Sequence, residues 1–432
     1  MVASNRLSGS HENHVVPIPG SEEKVLRTAV LYGANGAGKS NIFKALEYVK
    51  KIALEQREKN SGTGRDAFRF SARMDEPSSF DLQFIAEDKL YRFGFKTNDL
   101  RIIEEWLVRV DGGREKSVYE RVTDESGKVK VELQDGKTTN EKLKALATVG
   151  GPQNQSFLAT IFVLLDSFDY GEELSTVLSW FKSKLNLIAP TDRFLLSRFL
   201  LGDSHFNQFA SGFLKSCSTG IDHLRVQKHE ITEDEFRRSL PEELVTQMLR
   251  QKGGGSLVPV GDGEVLLVEH GDQEHFFLLT IRAAHESSSG KIIPLDLSEE
   301  SDGTRRLLHL VPALHQPEKQ TAVYFIDEID RSLHPILVWN FLDFFLKSRE
   351  GSQHQIIVTT HESNLLDLDL LRRDEIWFVE KNQEGATRLY SLADFKVRKD
   401  LEIRKHYLQG RFGAVPFLGN LDRLLEPQDK SE

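Results

Sequence analysis

The sequence predicts an α/β protein: a P-loop fold with an antiparallel β subdomain and an inserted helical subdomain. Three observations lead there. An apolar run, Val25 to Leu31, feeds the glycine-rich stretch Gly33-Ala34-Asn35-Gly36-Ala37-Gly38-Lys39-Ser40, after which Ile42, Leu46, Val49 and Ile52 recur at helical spacing. Two further apolar runs, Ala322 to Ile326 and Gln355 to Thr360, end in Asp327-Glu328 and in His361. Between these ends lie first alternating strands and then helical periodicity. The chain has 432 residues, enough for one large domain with an insertion or for two domains. The expected division is an N-terminal lobe at 1–155, a helical arm at 156–255 and a C-terminal lobe at 256–432.

The glycine-rich stretch matches G-x-x-x-x-G-K-[ST], the phosphate-binding loop. Its glycines let successive N–H groups turn toward phosphate oxygens, and the following helix N-terminus attracts the same anion. Gly33, Asn35, Gly36, Gly38, Lys39, Ser40 and Asn41 are therefore the expected nucleotide contacts. Lys39 serves the β- and γ-phosphates, and Ser40 is an expected Mg²⁺ ligand, so ATP and Mg²⁺ are the implied cofactors.

Taken in order, residues 1–22 are polar and read as poorly ordered or as the remnant of an edge strand. Phe80 to Ala86, Leu90 to Phe95 and Ile103 to Val110 partly alternate apolar and polar residues, which suits an antiparallel sheet with one solvated face. Residues 113–150 are charged and fit a short hairpin and a helix around a mobile loop. From about 155 to 250 the pattern turns helical. Leu174, Val177, Leu178, Phe181, Leu185 and Leu187 recur at three- and four-residue steps, continued by Phe194, Leu195, Phe199, Leu200, Phe206, Phe209 and Phe213. Such a run reads as a helical subdomain on its own aromatic core, or as an arm that meets a partner. Gly253-Gly254-Gly255 reads as a linker. Glu264 to Glu269 and Phe276 to Ala283 read as two paired strands leading back to the nucleotide domain.

The strand ending in Asp327-Glu328 supplies what phosphoryl chemistry needs beside Mg²⁺. Asp327 would orient the metal's water shell, and Glu328 would act as general base on the attacking water. His361, at the end of the next apolar run, would reach the γ-phosphate. Upstream, Ser301-Asp302-Gly303-Thr304 opens an amphipathic helix with Leu307, Leu308, Leu310 and Val311. A serine and a glycine there can be a plain N-cap. They can also hold a phosphate, since hydroxyl, backbone N–H and helix N-terminus converge.

The order of these motifs, with Leu333-His334-Pro335 between the last two strands, resembles the ABC-type ATPases that include RecF, the OLD proteins and the ATPases of prokaryotic abortive-infection operons. The narrower likeness is to RloA-like proteins and the ATPase subunit of the PARIS system. It is carried by Tyr32 to Asn41, Ser301 to Thr304, Ile326-Asp327-Glu328, Leu333-His334-Pro335, Thr360-His361 and the tail Tyr407 to Pro416. This resemblance implies that Ser301, Gly303 and Thr304 bind the γ-phosphate held by a second copy, making a homodimer or a higher oligomer with composite sites. It implies anti-phage function through an operon-encoded effector, a Toprim-type nuclease in many cases, and it allows a phage protein as trigger. It further implies a glutamine at the Mg²⁺ side, for which Gln155 is the first choice and Gln153 the reserve. Relatives open with a strand bearing an Asn-Phe-Arg-Ser-like run. That run does not precede Val2 here, so the sheet edge and part of the adenine-side pocket are expected to be incomplete.

Composition bounds the alternatives. With 66 acidic against 56 basic side chains the net charge is −10, which disfavours unselective coating of nucleic acid. A RecF- or SMC-like DNA-repair ATPase is the alternative reading; such enzymes have basic DNA-facing surfaces or long coiled coils, whereas here no sustained heptad run appears and the overall charge is acidic. Lys396, Arg398, Lys399, Arg404, Lys405 and Arg411 could face phosphates or form a solvated face. A self-contained nuclease would need a carboxylate cluster beyond His361, where only a short tail follows. Cys217 is the only cysteine, which removes intrachain disulfides and cysteine-rich metal sites. No run of about 18 apolar residues spans a membrane and no signal-peptide core opens the chain, so a cytoplasmic protein is expected.

Overall fold

The computed structural model describes all residues except 8, 59–60, 71–73, 135–139, 193–203, 251–254, 272, 316–320, 349–352, 398–401 and 417–432. Phe194, Leu195, Phe199, Leu200, Gly253, Gly254, Arg398 and Lys399 thus lie outside the described residues. The chain forms two compact units. One holds 1–187, 321–327 and 349–432; the other holds 188–320 and 328–348. Among the described residues no helix is long and apolar enough to cross a membrane.

The first unit is built on a six-stranded sheet. Its strands are β3 (Thr28–Tyr32), β9 (Leu185–Ile188), β15 (Val323–Ile326), β16 (Gln355–Thr360), β17 (Ile376–Lys381) and β18 (Thr387–Ser391), in the order β18-β17-β3-β16-β15-β9. From β17 to β15 all pairings are parallel, and β18 closes one edge antiparallel. Every residue of β3 is buried, as expected of a central parallel strand covered on both faces. Register decides what lies on each face. Ala29, Ile357 and Phe325 share a row, and Phe325 meets Phe43 of the helix Lys39–Leu54 edge to face at 5.7 Å. Tyr32 and Phe378 share a row on the opposite face and pack on Tyr407, whose ring stacks on Phe378 at 5.7 Å.

The expected antiparallel strands are present as a meander of β4 (Ser78–Ala86), β5 (Lys89–Thr97), β6 (Ile102–Asp111), β7 (Arg114–Thr123) and β8 (Val129–Leu133). Its inner face carries Phe84, Tyr91, Phe93, Phe95, Leu107 and Tyr119. These share one core with Val49, Ile52 and Ala53 of the helix after the glycine-rich loop. Leu174, Val177, Leu178, Phe181 and Leu185 join that same core. They belong to a helix at Glu172–Ser179, a π-turn at Trp180–Lys184 and strand β9, and so they complete the meander's core rather than a separate helical body.

The second unit also departs from an all-helical arm. It contains a five-stranded antiparallel sheet of β10 (Ile221–Ile231), β13 (His275–Glu286), β12 (Glu264–Glu269) and β11 (Gly255–Gly261), with β14 (Ile292–Asp296) on β13. Residues 264–269 and 276–283 pair as the sequence suggested. β10 was hidden because its partner lies far onward in the chain, and Ile221 and Leu224 also fit a helical step. Gly255 opens β11 instead of ending a linker. One face of the sheet packs Ile281 and Ala283 against the helices Ser204–Ser216 and Asp302–Leu314. The other packs Phe276 against Phe236, Val245 and Met248. Alternation along β13 separates the two cores.

The N-terminal residues are tied down. β1 (Val15–Pro17) pairs with β2 (Lys24–Leu26), and a buried ionic cluster holds what precedes them. Arg372 donates twice to Asp374 at 2.9 Å, Ser4 N–H donates to Asp374 at 2.7 Å, and His14 lies 3.1 Å from Glu375. Burial pushes the Glu375 carboxyl well above its ordinary value, despite its hydrogen bond from the Arg372 N–H. A raised carboxyl retains a proton in the folded chain that the unfolded chain releases. Its stabilising contribution is therefore complete below the unfolded pKa and is lost as pH rises through the folded one. Urea melts between about pH 5 and 8 should show native stability falling with pH more steeply than in Glu375→Gln. Equal slopes would refute the assignment.

Candidate nucleotide site

Parallel pairing brings three strand ends to one edge: Tyr32 before the glycine-rich loop, Thr360 before His361, and Ile326 before Asp327. Ligands of open parallel sheets sit at this carboxyl edge. The helix begins at Lys39, with Gly38 as its N-cap at φ 104°. Lys39 is buried; its ammonium donates to Gly33 O at 2.8 Å and to Ala34 O at 3.4 Å, and lies 3.0 Å from His361 Nε2. An ammonium has only donors, so the imidazole accepts at Nε2. The loop lysine and the histidine, 322 positions apart, meet in one place. Asn35, Gly36 and Asn41 are exposed around them, and Ser40 is half-buried in the first helical turn.

Asp327 lies on the face of Phe325, the face on which the loop helix packs, and is buried. Thr359 of β16 donates its hydroxyl to Asp327 Oδ1 at 2.5 Å. The Ser40 hydroxyl and the Asp327 carboxylate are hard oxygen donors of the kind Mg²⁺ takes beside phosphates and water. Glu328, next in the chain, has φ 49°, an uncommon conformation for a bulky residue and one that clusters at functional sites. Its carbonyl accepts from Arg306 at 3.1 Å, and the same guanidinium donates to Ala189 O at 3.0 Å.

Arg306 belongs to the helix that Ser301 opens. Ser301 accepts from the Thr304 N–H at 3.1 Å, so it caps its own helix. A Cβ on Gly303 would lie 2.6 Å from Ser332 O, and glycine permits that backbone approach. Ser301, Gly303 and Thr304 are thus gathered at one helix N-terminus. They belong to the second unit with Glu328, whereas the loop, Asp327 and His361 belong to the first.

Gln155 is buried with both ends of its amide engaged: Oε1 accepts from the Arg57 N–H at 2.9 Å and Nε2 donates to Thr160 at 3.1 Å. Gln153 offers its carbonyl to the Ile102 N–H at 2.9 Å and to Arg121 at 3.2 Å. Beside this segment Glu105 accepts from the N–H groups of Phe157 and Leu158 and from the Tyr119 hydroxyl. Burial pushes the Glu105 carboxyl up and, with Glu105 adjacent, the Tyr119 phenol well up.

Sequence reasoning missed Thr359, Arg306 and Thr387. A threonine in a strand and an arginine in an amphipathic helix carry no local signal of what they hold. Thr387 donates to Ala37 O at 3.1 Å, and a Cβ on Gly38 would collide with its hydroxyl oxygen. A Cβ on Gly36 would meet nothing within 4 Å. Gly36→Ala should therefore cost only its left-handed backbone, about 1–2 kcal/mol. Gly38→Ala, which adds the collision with branched Thr387, should cost more. Urea unfolding of both variants without nucleotide checks the order, and equal losses would contradict it.

A family model described as "AAA domain, putative AbiEii toxin, Type IV TA system" matches residues 29–367. No curated protein matches the chain. Among solved structures, the chain is similar to an SMC head bound to the C-winged helix domain of ScpA, at 18% identity over 86% of this chain and 93% of that one, with a TM-score of 0.39. It is also similar to the SMC head domain from Thermotoga maritima, at 15% identity over 87% and 96% of the two chains, with a TM-score of 0.32. The family match runs from β3 past His361 and spans the loop, the Ser301 helix and the acidic strand. Covering well over half of its 432 residues, that match shows that the chain belongs to this AAA-domain family.

Proposed function

We propose that this chain binds and hydrolyses ATP and acts as the regulatory subunit of a prokaryotic anti-phage, abortive-infection system. In that role it controls a partner effector, a Toprim-type nuclease being the leading class. The observation that carries the catalytic part is the single sheet edge that collects Lys39, His361 and Asp327. The family match and the resemblance to abortive-infection ATPases support the immune part. Direct DNA repair gains no specific observation. The described cations of the tail cluster, Lys396, Arg404, Lys405 and Arg411, are all exposed, as a solvated face would be.

In this reading Lys39 exchanges the loop carbonyls for β- and γ-phosphate oxygens. Ser40 and Asp327 would hold Mg²⁺, which when bound offsets phosphate charge. Glu328 accepts a proton as water attacks the γ-phosphorus and the bond to the bridging β,γ-oxygen breaks, releasing ADP. With Lys39 turned to phosphate, His361 in its Nε2–H tautomer donates toward the γ-phosphate, and Ser301, Gly303 and Thr304 contact the nucleotide of a second copy. Gln155 would serve the Mg²⁺ side through Oε1, the amide atom that here accepts from the Arg57 N–H.

Lys39→Ala should abolish ATP binding, whereas Glu328→Gln should retain it and slow hydrolysis by roughly 10²- to 10⁴-fold. Equal loss of affinity in both variants, measured by calorimetry, would defeat these roles. If sites are shared between copies, mixing Lys39 and Ser301 variants should recover part of the ATPase activity, because one composite site is then intact. A mixture of proven heterodimers as inactive as its parents would argue against sharing. The isolated chain should cut neither DNA nor RNA with ATP and Mg²⁺. Robust cutting lost on Glu328→Gln would replace the regulatory reading with a direct nuclease.

A further inference from the structure

Between the loop helix and β4 the chain makes a long excursion whose base is firmly held. Thr63 takes a hydrogen bond at its carbonyl from Tyr48 at 3.0 Å and donates its N–H to Asp99 O at 2.8 Å. The Arg65 side chain is 4% exposed. It donates to Asp99 Oδ1 at 2.7 Å, to Glu76 O at 2.7 Å and to Met74 O at 3.2 Å. This buried guanidinium ties the Arg65 segment to Met74, Glu76 and Asp99.

On this anchored base stand two aromatic rings turned outward. Phe70 is 79% exposed and Phe68 42%, with their rings edge to face at 5.9 Å. Their position is informative. A Cβ on Gly385 would lie 3.9 Å from both Phe68 and Phe70, so the rings rest against the β17–β18 turn. Two residues further, at the first residue of β18, Thr387 closes on Ala37 and Gly38 of the phosphate loop. One hairpin thus supports the loop at one point and the aromatic pair at the next. All these residues lie in the first unit.

Exposed, pre-positioned aromatic rings favour a flat ligand, because stacking needs only a π-face and little ordering of the side chain. We propose that Phe70, supported by Phe68, forms the platform for the nucleobase of the nucleotide whose phosphates bind Gly33 to Ser40. This rests on the nucleotide-site reading above and supplies the base side of it. Stacking is tolerant of base identity. The platform should therefore separate nucleoside triphosphates from bare triphosphate more than ATP from GTP.

The test is calorimetric titration of the full chain, with Mg²⁺, using ATP, GTP and inorganic tripolyphosphate. Wild type should bind ATP and GTP more tightly than tripolyphosphate. Phe68→Ala/Phe70→Ala should weaken ATP about ten- to a hundredfold and leave tripolyphosphate unchanged, while Phe70→Trp should keep the preference. Phe70→Ala alone serves if the double variant misfolds, since this ring contributes little burial. Variants that lose ATP and tripolyphosphate alike, or keep the full ATP preference, would overturn the platform. Wild type that binds none of the three would instead overturn the phosphate site, and the platform with it.

Discussion

The constraint on which the rest depends is the parallel register of β3, β16 and β15. Slipping any of these strands by one residue would turn its side chains to the opposite face. Asp327 would then leave Thr359 and the loop-helix side, and Phe325 would leave Phe43. The same register brings Thr360 level with Tyr32, which delivers His361 to Lys39. No single hydrogen bond accounts for the site. It exists because three apolar runs pair with their ends aligned.

The loop helix transmits that alignment to the meander. Its far end packs Val49, Ile52 and Ala53 into the aromatic core, and Ser156 donates to Ile52 O at 2.5 Å. Glu105 then caps the helix Phe157–Leu164 by accepting its first two N–H groups, while Arg121 lies 3.8 Å from the carboxylate. Burying a carboxylate is costly unless hydrogen bonds satisfy it. Helix N–H groups, a phenol and a guanidinium all converge here. The segment carrying Gln153 and Gln155 is consequently held by the sheet and by the loop helix together.

The β17–β18 hairpin performs the corresponding task on the other side. Val379 O would meet a Cβ on Gly33 at 2.6 Å, so only a glycine lets the loop lie so close. Behind the hairpin the tail supplies Tyr407 and Phe412, both stacked on Phe378, and the Tyr390 hydroxyl donates to Phe412 O at 2.8 Å. Burial together with the bond to Glu380 raises the Tyr390 phenol far above its ordinary value. The tail is therefore part of the loop's support, although Arg411 within it is exposed.

Local sequence determined the pieces whose physics is local. Gly33 to Ser40 had to turn, because its glycines free the backbone. Ile42, Leu46, Val49 and Ile52 had to share a helix face, and the runs ending at Asp327 and His361 had to be buried strands. The alternation from Phe80 to Val110 made an antiparallel sheet legible for the same reason. Tertiary structure alone decided which strands are neighbours, and so which side chains meet. Thr359 was assigned to Asp327, Arg306 to Glu328 and Thr387 to Gly38 by contacts between distant parts of the chain. The pairing of β10 with β13 and the absorption of Leu174 to Leu185 into the meander's core were decided in the same way. Periodicity reports which face of an element is apolar; only packing reports what that face is apolar toward.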